Sequence, residues 1–206
     1  MSPLHIACYY GHVKVVRRLL DVDDTNVNAR DPAGRSPLAL AARQGHVEVV
    51  RLLLDRHKTD VNCVDNKGQS PLMVASVRGH GEIARLILAV PKLKINCSDA
   101  YGLTPLMHAT IHGHVEIVRC LVATPGVQVG SIDRSGRCAL MHASLGGHLE
   151  IVRLLLGIRG VSANRSDRFG ETALIQASAR GHVEIAKLLL DQPGARVNGA
   201  DKAGRT

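Results

Sequence analysis

A chain of 206 residues with 45% hydrophobic and 21% charged residues and a mean hydropathy of +0.04 is neither disordered by composition nor a membrane span. Three Tyr, one Phe and no Trp exclude a thick core built on large rings and point to thin layers of Leu, Val, Ile and Ala. The net charge of +8 makes acidic partners the class to test, nucleic acid among them.

Membrane insertion is not expected, because no run of eighteen apolar residues occurs. Met1 to Tyr10 lacks the basic and apolar regions of a signal peptide. Five cysteines, odd in number and without a C-x-x-C pair, read as free thiols in a reducing compartment, the cytoplasm or else the nucleus.

Taken in chain order, the first element opens at Ser2-Pro3-Leu4, and the same signal returns at Ser36, Ser70, Thr104, Cys138 and Thr172, each 34 residues on. Ser or Thr before Pro is an N-cap with proline at the first helical position, where its missing N–H costs nothing. Each such helix, Pro37 to Gln44 for instance, is predicted to stop at a glycine that takes the left-handed conformation. Gly-His follows at Gly11, Gly45, Gly79, Gly113, Gly147 and Gly181. A second helix comes next, with Val47, Val49, Val50, Leu52, Leu53 and Leu54 as its apolar stripe. Glu and a base three residues on, as in Glu48/Arg51 and Glu184/Lys187, place opposite charges side by side on its outer surface. An Asp-x-x-Gly segment then predicts a hairpin-type turn before each new start, from Asp31 to Gly34 through Asp201 to Gly204.

These marks, SPLHIAC at Ser2, GHVEIV at Gly113 and the recurring D-x-x-G, resemble the ankyrin repeat over essentially the whole chain. The resemblance implies an all-α solenoid of helix-turn-helix units joined by β-hairpin-like loops. One domain over 1–206 is expected, with repeats starting near 2, 36, 70, 104, 138 and 172. The period of 34 departs from the usual 33, which predicts slightly longer inter-repeat loops. Repeat five is expected to be the weakest, since Cys138 replaces the capping hydroxyl and Gly130 the hairpin Asn. Neither end carries the polar outer face such arrays usually need, so the chain is expected to be part of a longer array or a larger protein.

The resemblance also implies a binding surface on the hairpin tips and the inner face of the first helices, and a scaffold that binds protein. All four rings fall there: Tyr9 and Tyr10 on a helix, Tyr101 and Phe169 at tips. So do Arg30, Arg35, Arg43, Lys67, Arg78, Arg134, Arg137, Arg168 and Arg180, against the acid Glu171. Arginine in excess over lysine favours bidentate recognition of carboxylate or phosphate. The expected partner is an acidic protein segment; nucleic acid is less favoured for want of lysine clusters and regularly spaced rings. Two readings stand beside it: a small phosphate-bearing ligand on the same face, or service as the accessory module of a larger enzyme. No catalytic loop, metal motif or cofactor fingerprint appears. The Gly-His histidines are expected to bond helix two to the next repeat, as in the family, and not to hold metal.

Overall fold

A computed structural model describes residues 1–197 apart from 23 and 57. The last predicted turn, Asp201 to Gly204, lies outside the described residues. Twelve helices are described: α1 (Pro3–Tyr10), α2 (Val13–Leu20), α3 (Pro37–Gln44), α4 (Val47–Leu54), α5 (Pro71–Arg78), α6 (Gly81–Leu88), α7 (Pro105–Ile111), α8 (Val115–Ala123), α9 (Ala139–Gly146), α10 (Leu149–Leu156), α11 (Ala173–Ala179) and α12 (Val183–Leu190). They divide into two compact units, Met1–Ala100 and Tyr101–Thr206, each made of three helix pairs.

Every odd-numbered helix starts where the cap chemistry places it. Ser2, Ser36, Ser70, Thr104 and Thr172 accept the backbone N–H three residues on through their hydroxyls. This satisfies one of the donors that a helix start leaves orphaned. Cys138 makes no such bond, as the missing hydroxyl implies, and a pocket of about 60 Å³ lies beside it, lined by Gly130, Cys138, Leu140, Leu155 and Arg165. Cys138→Ser is therefore expected to stabilise the protein by about 1 kcal/mol, read as an upward shift of the urea midpoint.

Within the first unit α1 packs on α3 and α3 on α5; within the second, α7 packs on α9 and α9 on α11. The core is aliphatic: Leu38, Leu40, Leu53, Leu72, Ile83 and Ile87 are buried in the first unit, Ile117, Leu121, Leu140, Ile151 and Leu155 in the second. Neither Tyr nor Phe joins them, because layers this thin are filled by branched aliphatic side chains. In the predicted stripe of α4, Val49, Val50 and Leu53 are buried while Val47, Leu52 and Leu54 are half-buried.

The Gly-His pair is a lock between repeats. Gly45 sits at φ 83°, and a Cβ there would meet the His80 ring at 2.8 Å. That ring's Nε2 in turn bonds the carbonyl of Arg43 at 3.3 Å. The same bond joins His46 to Tyr9, His148 to Ile111 and His182 to Leu145. Each histidine thus reaches back to the preceding repeat, not forward to the next as expected. The reason is geometric: the glycine leaves the opening, and the following repeat supplies the ring.

The expected pairs of Glu with a base three residues on form on the outer surface, at 3.0 Å for Lys187 and Glu184, and two of the arginines reach the next repeat as well. Arg51 lies 3.7 Å from Glu48 on its own helix but 2.6 Å from Glu82 of the next repeat. Arg119 repeats this, at 3.9 Å to Glu116 and 2.9 Å to Glu150. These exposed pairs are worth at most about 1 kcal/mol each. They tie neighbouring repeats as much as they support single helices.

Candidate functional site

The hairpins are built on aspartate. Asp31 Oδ1 accepts the backbone N–H of Ala33 and Arg35 at 2.9 Å each. Asp65, Asp133 and Asp167 do the same for the residues two and four places on. A short carboxylate that bonds its own following backbone closes the turn without a longer strand. The tips are then joined to one another by backbone. Asn66 N–H donates to Ala33 and Ala100 N–H to Lys67 in the first unit. In the second unit Arg134 N–H donates to Tyr101 at 3.0 Å and Arg168 N–H to Ser135 at 2.9 Å. Three tips of the second unit consequently stand in one row, and it carries Tyr101, Arg134, Arg168 and Phe169.

The four rings are placed as follows. Tyr101 is 66%, Tyr10 62% and Phe169 55% exposed, whereas Tyr9 is half-buried and meets Tyr10 edge to face at 5.0 Å. Large exposed rings on a rigid support are what interfaces use as anchors.

The bases divide into two groups. Lys67, Arg78, Arg134, Arg168 and Arg180 are exposed and Arg43 is half-buried. None of these six makes a side-chain hydrogen bond or ion pair among the described residues. Arg30 is exposed as well and lies near enough to Cys63 to act on its thiol. Arg35 and Arg137 differ, because their charge is already answered. Arg35 binds Asp31, with Nη2 to Oδ2 at 2.6 Å. This guanidinium, together with the backbone donors, holds the Asp31 carboxyl below its usual range against the opposing effect of burial. Arg137 reaches into the next repeat, to Asp167 at 3.1 Å and Glu171 at 3.3 Å. Sequence position alone groups these two with the free arginines; the buried aspartates of the turns separate them.

Arg137 belongs to a polar network that sequence reasoning missed. His142 Nε2 and Asp133 Oδ2 are 2.9 Å apart, and Gln176 Nε2 lies 3.4 Å from Glu171. His108, His142 and Gln176 are all buried at one position of successive repeats. That position holds Ile6, Leu40 and Val74 in the first unit. The switch from three apolar to three polar residues at 34-residue spacing was the available signal. Burial lowers the His142 pKa, opposed by Asp133 and reinforced by Arg137 and His108. The folded protein therefore favours the neutral ring. As pH falls through about 6.5, the unfolded chain takes up a proton that the native chain resists, so stability declines. Urea midpoints should fall between neutral and mildly acidic pH, and His142→Gln should reduce that fall.

Among the described residues, no cluster of three His, Cys, Asp or Glu could hold a metal ion, and no helix is long and apolar enough to cross a membrane. The five cysteines are free thiols, and burial pushes Cys8 up to about 12.

The family model for ankyrin repeats, three copies long, matches residues 1–65, 54–133, 89–167 and 123–201. Among curated proteins none matches the chain. Among solved structures, the ankyrin repeat domain of Bcl-3, a member of the IkappaB protein family, is 29% identical with a TM-score of 0.87. That match covers 100% of this chain and 92% of the other. An ankyrin repeat domain from Acinetobacter baumannii AYE is 35% identical with a TM-score of 0.81, covering 91% of this chain and 96% of that one. Model, motifs and fold agree over the length of the protein, and the chain belongs to the ankyrin-repeat family.

Proposed function

We propose that this chain is a non-catalytic scaffold that binds an acidic protein segment through the tip row of its second unit. Ankyrin repeats are generally protein–protein interaction modules, and the specific surface is argued from the tips. Arg134 and Arg168 carry uncommitted guanidinium groups beside Tyr101 and Phe169, on tips pinned by backbone bonds. That combination supports the reading most directly: pre-organised cations and rings lose little freedom when a ligand settles on them. In the first unit Arg43, Lys67 and Arg78, with Tyr9 and Tyr10, offer a separate set of the same chemistry. Arg35 and Arg137 contribute less charge to binding, since carboxylates already face them. A reducing compartment, cytoplasm or nucleus, belongs to this proposal and accords with the free thiols.

Capture of proteins from an extract on the immobilised array, with and without nuclease and with a glutamate-rich peptide as competitor, tests this reading. Displacement by the peptide with indifference to nuclease is the expected result. Capture that disappears with nuclease, together with a steep linear loss of log affinity against log salt, points instead to a phosphate-bearing ligand and overturns it.

A further inference from the structure

We infer, resting on the tip row as the binding surface, that the acidic segment lies along it as a polyproline II helix. An acid then falls at every third residue, with proline among the spacers.

The row offers an incoming chain no backbone donor. From Asp133 to Arg137 every backbone N–H is already given away. Asp133 donates to the Arg137 carbonyl, Gly136 to the Asp133 carbonyl and Arg134 to Tyr101 on the preceding tip. Ser135 and Arg137 donate to the Asp133 carboxylate. The next tip repeats this from Asp167 to Glu171, with Arg168 donating to Ser135. An added β-strand pairs with alternating donors and acceptors on a free edge, and these two tips supply acceptors alone. Recognition therefore falls to side chains, and the partner's backbone has to satisfy itself or stay in water.

The pitch of the row selects among the remaining forms. Within this unit α7 packs on α9 and α9 on α11, and helices in contact lie about 8–10 Å apart. Arg134 and Arg168 hold the same place on adjacent tips, so their anchor points follow that pitch. In a polyproline II helix every third side chain points the same way, about 9.3 Å further on. An extended β chain has same-face side chains at about 6.6 and 13.2 Å, which miss the pitch. An α-helix comes near it, at about 10.5 Å, with every seventh residue. The rings decide against the helix. Tyr101 and Phe169 hold the second place on their tips, either side of Ser135, and both are exposed. Exposed aromatic faces are where polyproline segments dock. That form also keeps its backbone solvated and has little freedom left to lose.

Titration of the full chain with three labelled peptides of equal charge, followed by fluorescence anisotropy, tests this. The first repeats Glu-Pro-Pro, the second has the same residues with the glutamates gathered at one end, and the third is an alanine-rich helix with glutamate at every seventh position. The Glu-Pro-Pro repeat is expected to bind about ten-fold or more tighter than either of the others, and Arg134→Glu/Arg168→Glu removes that advantage. Equal binding of the first two overturns the inference, since net charge alone is then read. Tighter binding of the helix overturns it as well. In both cases the tip row itself stands if the double reversal weakens every peptide alike, and falls if the reversal changes none of them.

Discussion

Gly45→Ala is expected to lower the stability of the Met1–Ala100 unit by about 2–3 kcal/mol, a large effect for one methyl group. Two costs combine. The backbone there has φ 83°, and an L side chain in that region costs about 1–2 kcal/mol. The added Cβ also falls 2.8 Å from the His80 ring, which has to move and stretch or lose its bond to Arg43, worth about another 1 kcal/mol. Gly181→Ala separates the two terms. Its φ of 72° is similar, but its Cβ meets nothing within 4 Å, so only the backbone cost remains. Urea titrations of both variants check this; equal losses would show that the histidine lock contributes nothing.

Arg137→Ala is the second large effect, expected to cost about 2–4 kcal/mol. Its guanidinium answers the side chain of Asp167, which has 0% exposure, and that of Glu171. Removing it strands a buried carboxylate, and the backbone N–H groups of Phe169 and Glu171 offset only part of the loss. Pairing the change with Asp167→Asn removes the stranded charge, so the double variant should be more stable than the additive sum of the two single losses. Strict additivity of the two substitutions would contradict the coupling. Arg35→Ala is a useful comparison, since Arg35 pairs within its own hairpin while Arg137 spans two repeats.

Much of the fold was legible because each landmark acts locally. A serine cap, a left-handed glycine and an Asx turn depend on neighbours a few residues away, so their spacing sets the helices almost to the residue. The direction of the histidine lock was not legible, because a 34-residue period looks the same read toward either neighbour. The pairing of Arg51 with Glu82 was missed for a related reason. Within one helix Glu48 is the near carboxylate, and only the stacking of repeats brings Glu82 closer. The candidate surface was legible as a set of positions, since tips and helix ends follow from the period. Which arginines are free was not, because that depends on buried carboxylates: Arg35 and Arg137 look like Arg134 and Arg168 in sequence and differ in what faces them. The column His108, His142 and Gln176 was visible in the numbering, but its meaning came from the acids Asp133 and Glu171 folded against it.

The most direct test of the tip row as the binding surface is the affinity of a captured partner for the wild type and for Arg134→Glu/Arg168→Glu. Both side chains are exposed and make no bond among the described residues, so the reversal should leave the urea midpoint unchanged. Affinity is expected to fall by about a hundred-fold or more, since two attractive contacts become repulsive at a cost of several kcal/mol. Unchanged affinity in the folded variant would contradict the account.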